Sequence, residues 1–178
     1  MKRVGIFPGT FDPVHNGHIA FALASAKVAG LDKVVLIPEP KPRTKKYVTD
    51  IAHRLKMLEL VADKYENISV FKPDHDQFSV ARTLPFFIER FPRTQLYLLV
   101  GSDVIAHLPN WPDAKKLLKN MQIITAQRGL HKITNPGLAK HIIHTNFNDI
   151  SSSKIRKQIK KDYLSPEIYE YSNLNKLY

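Results

Sequence analysis

The sequence predicts an α/β fold in which a parallel sheet carries helices on both faces. Short apolar runs of the kind that form buried strands alternate with longer segments of helical composition along the whole chain. Such alternation is typical of sheets whose strands are connected by crossover helices. The chain has 178 residues, of which 43% are hydrophobic, so it is long enough to bury the core that this fold requires. The expected fold class is therefore a doubly wound parallel sheet.

The first half of the chain contains three strand patterns and two helix patterns. The β-branched and aromatic run KRVGIF predicts a buried strand, and HIAFALASAKVAG predicts a helix with Gly30 as its C-cap. KVVLIP predicts a second strand that ends at Pro38, and the proline-rich, basic segment PEPKPRTKKYVT then predicts a loop. Asp50 is placed to cap the helix IAHRLKMLELVADKYE, and ISVF predicts the third strand. The apolar face of that helix would comprise Ile51, Leu55, Leu58 and Val61 or Ala62.

The second half continues the alternation. SVARTLPFFIERF predicts a helix in which Pro85 indicates a kink or a late start. QLYLLVG, MQIITAQ and HIIHT predict strands four to six, with the short helix DAKKLLKN between the fourth and the fifth. Hydroxyls favour a helix start in SSSKIRKQIKK, and Pro166 favours another in LSPEIYEYSNLNKLY. Because no repeat or linker interrupts the pattern, we expect a single domain over residues 1–178, helical at about 151–178.

The composition limits the classes of partner. A formal net charge of +11 and a pI of about 9.8 favour anionic partners such as nucleotides, phosphates or nucleic acid. The absence of cysteine excludes disulfides, thiol catalysis and cysteine-bound metals, and it agrees with a cytoplasmic location. No apolar run reaches the roughly 18 residues of a membrane span, and MKRVGIFPGT does not have the pattern of a signal peptide. We therefore expect no membrane partner.

The segment GTFDPVHNGH, residues 9–18, joins the first strand to the first helix and carries the strongest chemical signal. In a parallel sheet such a loop lies at the carboxyl edge, where ligands bind. The free N–H groups and the dipole of the following helix would bind phosphate, and Gly9 and Gly17 would let the ligand approach closely. His15 and His18 would project to one side and stabilise charge on a reacting phosphoryl group.

Other interpretations of this loop have less support. An H-x-x-H pair can bind a metal, but the loop lacks the company of further ligands that such a site needs. Either histidine could also be a surface residue without a functional role. The loop lacks the G-x-x-x-x-G-K-[ST] and G-x-G-x-x-G patterns, which excludes the two common glycine-rich nucleotide loops.

The same ten residues resemble the signature of the α/β nucleotidyltransferase superfamily, which reads Gly, Thr, Phe, Asp, Pro and then H-x-G-H. The resemblance implies a Rossmann-like sheet of the HxGH type and transfer of a nucleotidyl group from a nucleoside triphosphate to a phosphate-bearing acceptor. In-line attack on the α-phosphorus, with no covalent enzyme intermediate, would require no nucleophile from the loop. The resemblance implies that the catalytic histidines are His15 and His18, with further ATP contacts at Gly9, Thr10, Phe11 and Gly17.

The segment ISSSKIR, residues 150–156, resembles the second signature of the same superfamily. It is physically another helix start, at which serine hydroxyls can cap the helix or meet a triphosphate, and Arg156 can bind β- and γ-phosphate oxygens. A serine run alone is more often a cap, but its pairing with the first signature favours function. We therefore expect Ser152, Ser153 and catalytic Arg156 to bind ATP, with helix starts near residues 16 and 152 converging on one polyphosphate.

The segment GSDVIAHLPNWPDAKKLL after the fourth strand resembles part of the nicotinate and nicotinamide mononucleotide adenylyltransferases, as does the tail LSPEIYEY. The resemblance implies that Trp111 lies against the pyridine ring while Gly101 and Asp103 line the adenosine or ribose region; a core position is the alternative for Trp111. The chain departs from this family at Pro8, in FSVARTL and in EPKPRTKK. The residues expected to contact the mononucleotide are Trp111, Thr83, Lys41, Arg54 and Arg128. Lys41 could instead belong to a solvated loop, and the two arginines could form surface salt bridges.

Together these resemblances imply an adenylyltransferase that transfers AMP from ATP to nicotinate or nicotinamide mononucleotide, forming deamido-NAD or NAD and pyrophosphate. Mg²⁺ would bridge phosphate oxygens and be held mainly by phosphates and water, without a cage of protein ligands. The alternatives are phosphopantetheine or another small phosphate as the acceptor, a paralogue that binds nucleotide without turnover, and a basic nucleic-acid-binding protein. No helix-turn-helix, zinc-finger or RNP pattern supports the last of these, and a homo-oligomer stays open.

Overall fold

The computed structural model describes residues 1–42, 45, 47–72, 74, 76–127, 133–146, 150–158 and 161–178. Its six-stranded sheet has the order β3-β2-β1-β4-β5-β6, and all neighbouring strands are parallel. The chain therefore moves outward from the centre twice, which is the doubly wound, Rossmann-like arrangement that the sequence predicts. The strands are β1 Lys2–Gly9, β2 Lys33–Pro38, β3 Ile68–Val70, β4 Thr94–Gly101, β5 Met121–Ala126 and β6 Ala139–Ile143.

Helices follow the strands as expected, and their ends show the predicted caps. Gly30 ends the first helix in the left-handed conformation (φ 60°), which a glycine adopts without strain. The carboxylate of Asp50 accepts the backbone N–H of Ala52 at 2.7 Å and caps the second helix. The helices are α1 Asn16–Ala29, α2 Ile51–Ala62, α3 Val80–Arg90, α4 Ser102–Ile105, α5 Ala114–Asn120, α6 Ser152–Lys157 and α7 Pro166–Leu174.

The start of α3 differs from one predicted alternative. The helix begins at Val80 and continues through Pro85, so a late start at the proline is wrong. The hydroxyl of Ser79 accepts the backbone N–H of Arg82 at 3.2 Å and fixes the earlier start. Pro85 is exposed, and so is Ala81, whose carbonyl loses its helical donor to the proline and can bond to water instead.

Other boundaries differ by a few residues. α2 ends at Ala62, earlier than predicted, because the backbone turns there: Tyr65 donates its N–H to the Ala62 carbonyl at 2.9 Å. β6 begins at Ala139, two residues before the predicted start at His141. The four-residue helix α4 was not predicted, since an element this short shows no helical period.

The core lies in two layers, one on each face of the sheet. Successive strand residues face opposite sides, and in β2 the side chains of Val34 and Leu36 join one layer whereas Val35 and Ile37 join the other. Residues of α1, α2, α6 and α7 complete the first layer, and residues of α3 and α5 complete the second. Burial on both faces explains why the strands appear in the sequence as continuous apolar runs.

The strand order places a crevice at the centre of the carboxyl edge. β1 and β4 are neighbours, and Ile6 pairs with Leu98. The chain leaves β1 toward the first layer and leaves β4 toward the second, so the two loops diverge. Ligands of doubly wound sheets bind at such a reversal point. Among the helices that the structure describes, none combines the length and apolar character that a membrane span requires.

Candidate active site

The loop after β1 brings two histidine rings together at the start of α1. His15 is the buried N-cap residue and His18 lies in the first turn. The two rings stack with their centroids 3.7 Å apart, and Nδ1 of His18 accepts the backbone N–H of His15 at 3.3 Å. A neutral ring that accepts at Nδ1 carries its proton on Nε2, from which it can donate to an anion.

The His18 ring also packs against an aromatic cluster. Its centroid lies 5.0 Å from that of Phe11, which in turn lies edge-on to Phe7 at 5.3 Å. Phe11 is buried and has a φ of 49°, a left-handed conformation that is uncommon for an aromatic residue. A Cβ atom at Gly9 would lie 3.0 Å from the Phe11 ring. Gly9 therefore makes room for the Phe11 ring, which packs against His18. The sequence predicts only that Gly9 lets the ligand approach closely.

Asp12, in the middle of this loop, is a fully buried carboxylate that the sequence did not single out as a site residue. Its Oδ1 accepts the hydroxyl of Tyr178 at 2.8 Å, and its Oδ2 accepts the backbone N–H of Thr49 at 3.3 Å. Nη1 of Arg156 lies 3.6 Å from the same Oδ2. The signature contains this aspartate, but its partners are distant in sequence and no local pattern identifies them.

The start of α6 lies directly against the loop after β1. The hydroxyl of Ser152 donates to the carbonyl of Pro13 at 3.0 Å, and Nη1 of Arg156 donates to the carbonyl of Asp12 at 2.6 Å. Nη2 of Arg156 donates to the hydroxyl of Ser153 at 3.2 Å. The two helix starts near residues 16 and 152 are therefore adjacent in space, as the sequence predicts.

A cleft opens beside the histidine pair at the carboxyl edge of the sheet. Gly101 ends β4 and caps α4, and it lines the same cleft as the histidine pair. Asp103 is exposed in the first turn of α4. The cleft is lined by His15, Gly17, His18, Gly101, Ile150, Phe7, Phe21, Ala126, Gln127 and Thr145.

Arg54 lies in the interior of the protein. Its side chain is fully buried, which excludes the surface salt bridge considered as an alternative. Burial lowers the pKa of the guanidinium below its usual value, and the nearby charge of Asp12 is the main opposing effect. Four of its N–H groups are already hydrogen-bonded within the protein. This favours a bracing role, in which Arg54 holds neighbouring loops together, over the expected phosphate contact. At 2.8 to 2.9 Å these N–H groups donate to the backbone carbonyls of Thr10, Glu39, Pro40 and Thr49.

Two of the expected mononucleotide contacts lie on the side of the second core layer. Trp111 is half-buried and its ring lies 6.1 Å from that of Phe78, so it packs on this layer while keeping part of its surface exposed. Thr83 is buried, and its hydroxyl oxygen accepts the backbone N–H of Ser79 at 3.2 Å. The side chain of Thr83 therefore helps to fix the start of α3.

The basic residues expected near the acceptor phosphate are only partly described. Lys41 is exposed, and its Nζ forms an ion pair with Asp76 at 3.1 Å. Arg128 lies outside the described residues, as do Arg43 and Lys46 of the basic loop. Over the part of the chain that the structure describes, no group of three or more histidine, aspartate or glutamate side chains is arranged to hold a metal ion.

The parallel sheet, the histidine loop and the arginine of α6 together define a nucleotidyltransferase of Rossmann-like fold. A protein-family model described as cytidylyltransferase-like matches residues 6–158. The nicotinate-nucleotide adenylyltransferase of Bacillus subtilis is 32% identical, with 100% of this chain and 99% of that protein covered. A probable nicotinate-nucleotide adenylyltransferase of Streptococcus pyogenes is 33% identical, with coverages of 99% and 89%. The chain thus belongs to the cytidylyltransferase-like family, among the nicotinate-nucleotide adenylyltransferases.

Solved structures agree with the fold. The nicotinic acid mononucleotide adenylyltransferase of Plasmodium falciparum, complexed with APC, aligns with a TM-score of 0.80 at 22% identity. The alignment covers 99% of this chain and 97% of that one. The same enzyme complexed with NaAD aligns with a TM-score of 0.78. At this level of identity the likeness concerns the fold, and it confirms the predicted fold class.

Proposed function

We propose that this protein transfers the adenylyl group of ATP to nicotinate mononucleotide, forming deamido-NAD and releasing pyrophosphate. The observation that carries the proposal is the contact between the two helix starts, in which Ser152 and Arg156 bond to the backbone of the loop that holds His15 and His18. Two positive helix starts, two imidazoles and a guanidinium, carried by one loop and the helix start that contacts it, suit a polyphosphate. The names of the relatives support the nicotinate form of the acceptor over the nicotinamide form.

The reaction consists of a single displacement at phosphorus. A phosphate oxygen of the mononucleotide attacks the α-phosphorus of ATP and forms the new P–O bond. The bond from the α-phosphorus to the bridging oxygen breaks, and pyrophosphate leaves with that electron pair. His15 and His18 donate hydrogen bonds to the α-phosphoryl oxygens as charge moves, while Arg156 and Ser153 hold the leaving pyrophosphate. No protein nucleophile is required.

The other ATP contacts follow the loop and the end of β4. Backbone N–H groups at the start of α1 meet the phosphates, with Gly17 providing access beside the histidine pair. The hydroxyl of Ser152 already donates to Pro13, so this serine acts by fastening α6 to the loop. The adenosine lies near the following residues: Gly9, Thr10, Phe11, Gly101 and Asp103.

The acceptor lies on the opposite side of the crevice. The exposed part of Trp111 stacks on the pyridine ring, and Lys41 approaches the phosphate of the mononucleotide. We expect Arg128, which lies outside the described residues, to bind the same phosphate. Thr83 supports this wall through the start of α3. Arg54 acts by holding the loops after β1 and β2 in place.

The nucleotide enters as its Mg²⁺ complex, so the metal is part of the substrate. Mg²⁺ keeps several water ligands and needs few protein carboxylates, which fits a site whose neighbouring Asp12 carboxylate is buried and bonds to Tyr178 and Thr49. The net charge of +11 favours this anionic complex. We also expect the protein to act in the cytoplasm.

The test is the release of pyrophosphate from Mg²⁺-ATP with each candidate acceptor at matched concentrations. We expect nicotinate mononucleotide to give the highest kcat/KM, nicotinamide mononucleotide a lower value, and phosphopantetheine no product. Chromatography of the nicotinate reaction should show deamido-NAD in equal amount to pyrophosphate. Faster turnover with phosphopantetheine, or no turnover with either pyridine mononucleotide, would refute the proposal.

A further inference from the structure

Tyr178 makes a contact with the catalytic loop, although the reaction described above assigns this residue no role. Its hydroxyl donates to Oδ1 of Asp12 at 2.8 Å, across 166 residues of chain. The Tyr178 side chain also packs against the first core layer. Asp12 lies in the middle of the catalytic loop, so a hydrogen bond to its buried carboxylate can fix the orientation of that side chain.

The end of the described chain is folded so that Tyr178 reaches this position. The hydroxyl of Ser172 lies 3.8 Å from the sulfur of Met57, and this contact packs α7 against α2. Lys176 adopts a φ of 52°, and Leu177 donates its N–H to the carbonyl of Ser172 at 3.0 Å, so the backbone turns back after α7. The residue before Tyr178 is therefore fixed to α7, and Tyr178 itself packs against the first core layer, neither of which involves Asp12.

The bonds of Asp12 are divided among its oxygen atoms. Oδ1 accepts from Tyr178, Oδ2 accepts from Thr49, and the backbone carbonyl accepts from Arg156 at 2.6 Å. The Arg156 guanidinium remains farther from the carboxylate, with Nη1 at 3.6 Å from Oδ2. An unrestrained carboxylate beside an arginine favours a close bidentate pair, which would move the guanidinium from the Asp12 carbonyl to the Asp12 carboxylate and neutralise it.

We propose that Tyr178 is a positioning residue of the transfer reaction: its hydroxyl restrains the Asp12 carboxylate, so that Arg156 bonds to the loop backbone and stays aimed at the leaving pyrophosphate. This inference rests on the proposed function. Removal of the hydroxyl allows the carboxylate to rotate toward Arg156. The guanidinium then stabilises the transition state less, while the surfaces that bind ATP and the mononucleotide are retained.

The experiment compares Tyr178→Phe with Tyr171→Phe. Tyr171 lies on α7, and its hydroxyl bonds to Nδ1 of His53 at 2.9 Å, so the control removes one tyrosine hydroxyl of the same chain segment without affecting Asp12. We expect Tyr178→Phe to lower kcat about tenfold, the size of one hydrogen bond to a charged group, with each KM changed less than about twofold. Tyr171→Phe should keep kcat within about twofold of the unmodified protein. We expect the two variants to lower Tm by similar amounts.

Two results would overturn the inference. In one, Tyr178→Phe keeps kcat within about twofold of the unmodified protein; in the other, both variants lose kcat equally, as a general role in stability predicts. If the unmodified protein transfers adenylate to no pyridine mononucleotide, the proposed function fails, and hydrogen exchange then decides the inference separately. Faster amide exchange over residues 9–18 in Tyr178→Phe, but not in Tyr171→Phe, supports it, and equal exchange rates reject it.

Discussion

Nη1 of Arg156 donates to the carbonyl oxygen of Asp12 at 2.6 Å, although 144 residues of chain separate the two. The contact joins the start of α6 to the loop that carries the histidine pair. Nη2 of the same guanidinium donates to the hydroxyl of Ser153, so both edges of the planar group are oriented. Arg156 therefore fixes the geometry of the loop in addition to its proposed contact with phosphate.

Arg156→Lys should be far less active, although it keeps the positive charge. A lysine ammonium lacks the planar fork that reaches the Asp12 carbonyl and the Ser153 hydroxyl together. We expect kcat for deamido-NAD formation to fall about 100-fold, the usual effect of losing an oriented donor at a reacting phosphoryl group. The control is Lys157→Ala, which removes an exposed charge from the same helix and should stay within about twofold. Near-normal turnover in Arg156→Lys would show that the fork is not needed.

His18→Ala should lower kcat far more than it weakens ATP binding. The histidine acts on charge that develops at the α-phosphorus, so its loss should cost about 10² to 10³ in kcat. Calorimetry should give an ATP dissociation constant within about threefold of that of the unmodified protein. His141→Ala in the outer strand β6 is the matched control. A large loss of ATP affinity with little change in kcat would assign His18 to binding instead.

The sequence was sufficient for the sheet and for the positions of the two helix starts, because both depend on local signals. Strands buried on both faces appear as continuous apolar runs, and β1, β2, β4 and β5 are all of this kind. Each of these helix starts carries its own signature, so His18 and Arg156 could be picked out separately as candidates. Their approach in space then follows from the parallel order of the strands, since carboxyl ends share one edge.

The contacts between loops could not be predicted, and α2 shows the reason. The predicted apolar face of this helix included Leu58 and Val61, which are buried, and Ile51 and Leu55, which are only partly buried, whereas Arg54 and Met57 are buried as well. A charged residue is normally assigned to the solvent side, so the predicted buried face did not include Arg54. Arg54 is buried because four carbonyls from distant loops satisfy its guanidinium, and nothing within a helical period indicates those partners.

Arg54→Met should destabilise the fold strongly. The methionine fills similar volume, but it leaves four carbonyls at the base of the site without their donor. We expect the free energy of unfolding in urea to fall by about 3 to 5 kcal/mol, as for other broken buried charge networks. Lys56→Met, at an exposed position of the same helix, should change it by less than about 0.5 kcal/mol. Equal effects of the two substitutions would contradict the bracing role.

Trp111→Ala separates the two interpretations of this tryptophan. If its exposed part stacks on the pyridine ring, KM for nicotinate mononucleotide should rise about tenfold while KM for ATP stays within about twofold. If Trp111 serves the core alone through Phe78, Tm should fall and both KM values should stay unchanged. Steady-state kinetics with each substrate varied in turn, together with a melting curve, distinguishes these outcomes.

Tyr178 should make stability fall more steeply above pH 10. Burial, the largest effect, raises the pKa of its hydroxyl above the ordinary value of 10.0, and the charge of Asp12 adds to the shift. The unfolded chain therefore loses this proton first. Stability from Tyr178 is complete below pH 10 and declines as the pH rises toward the higher pKa of the folded state, at up to about 1.4 kcal/mol per pH unit. Urea unfolding between pH 8 and 11 should thus show a steeper decline for the unmodified protein than for Tyr178→Phe. Tyr47→Phe removes an exposed hydroxyl and should follow the unmodified protein, whereas parallel curves for all three proteins would contradict the buried titration.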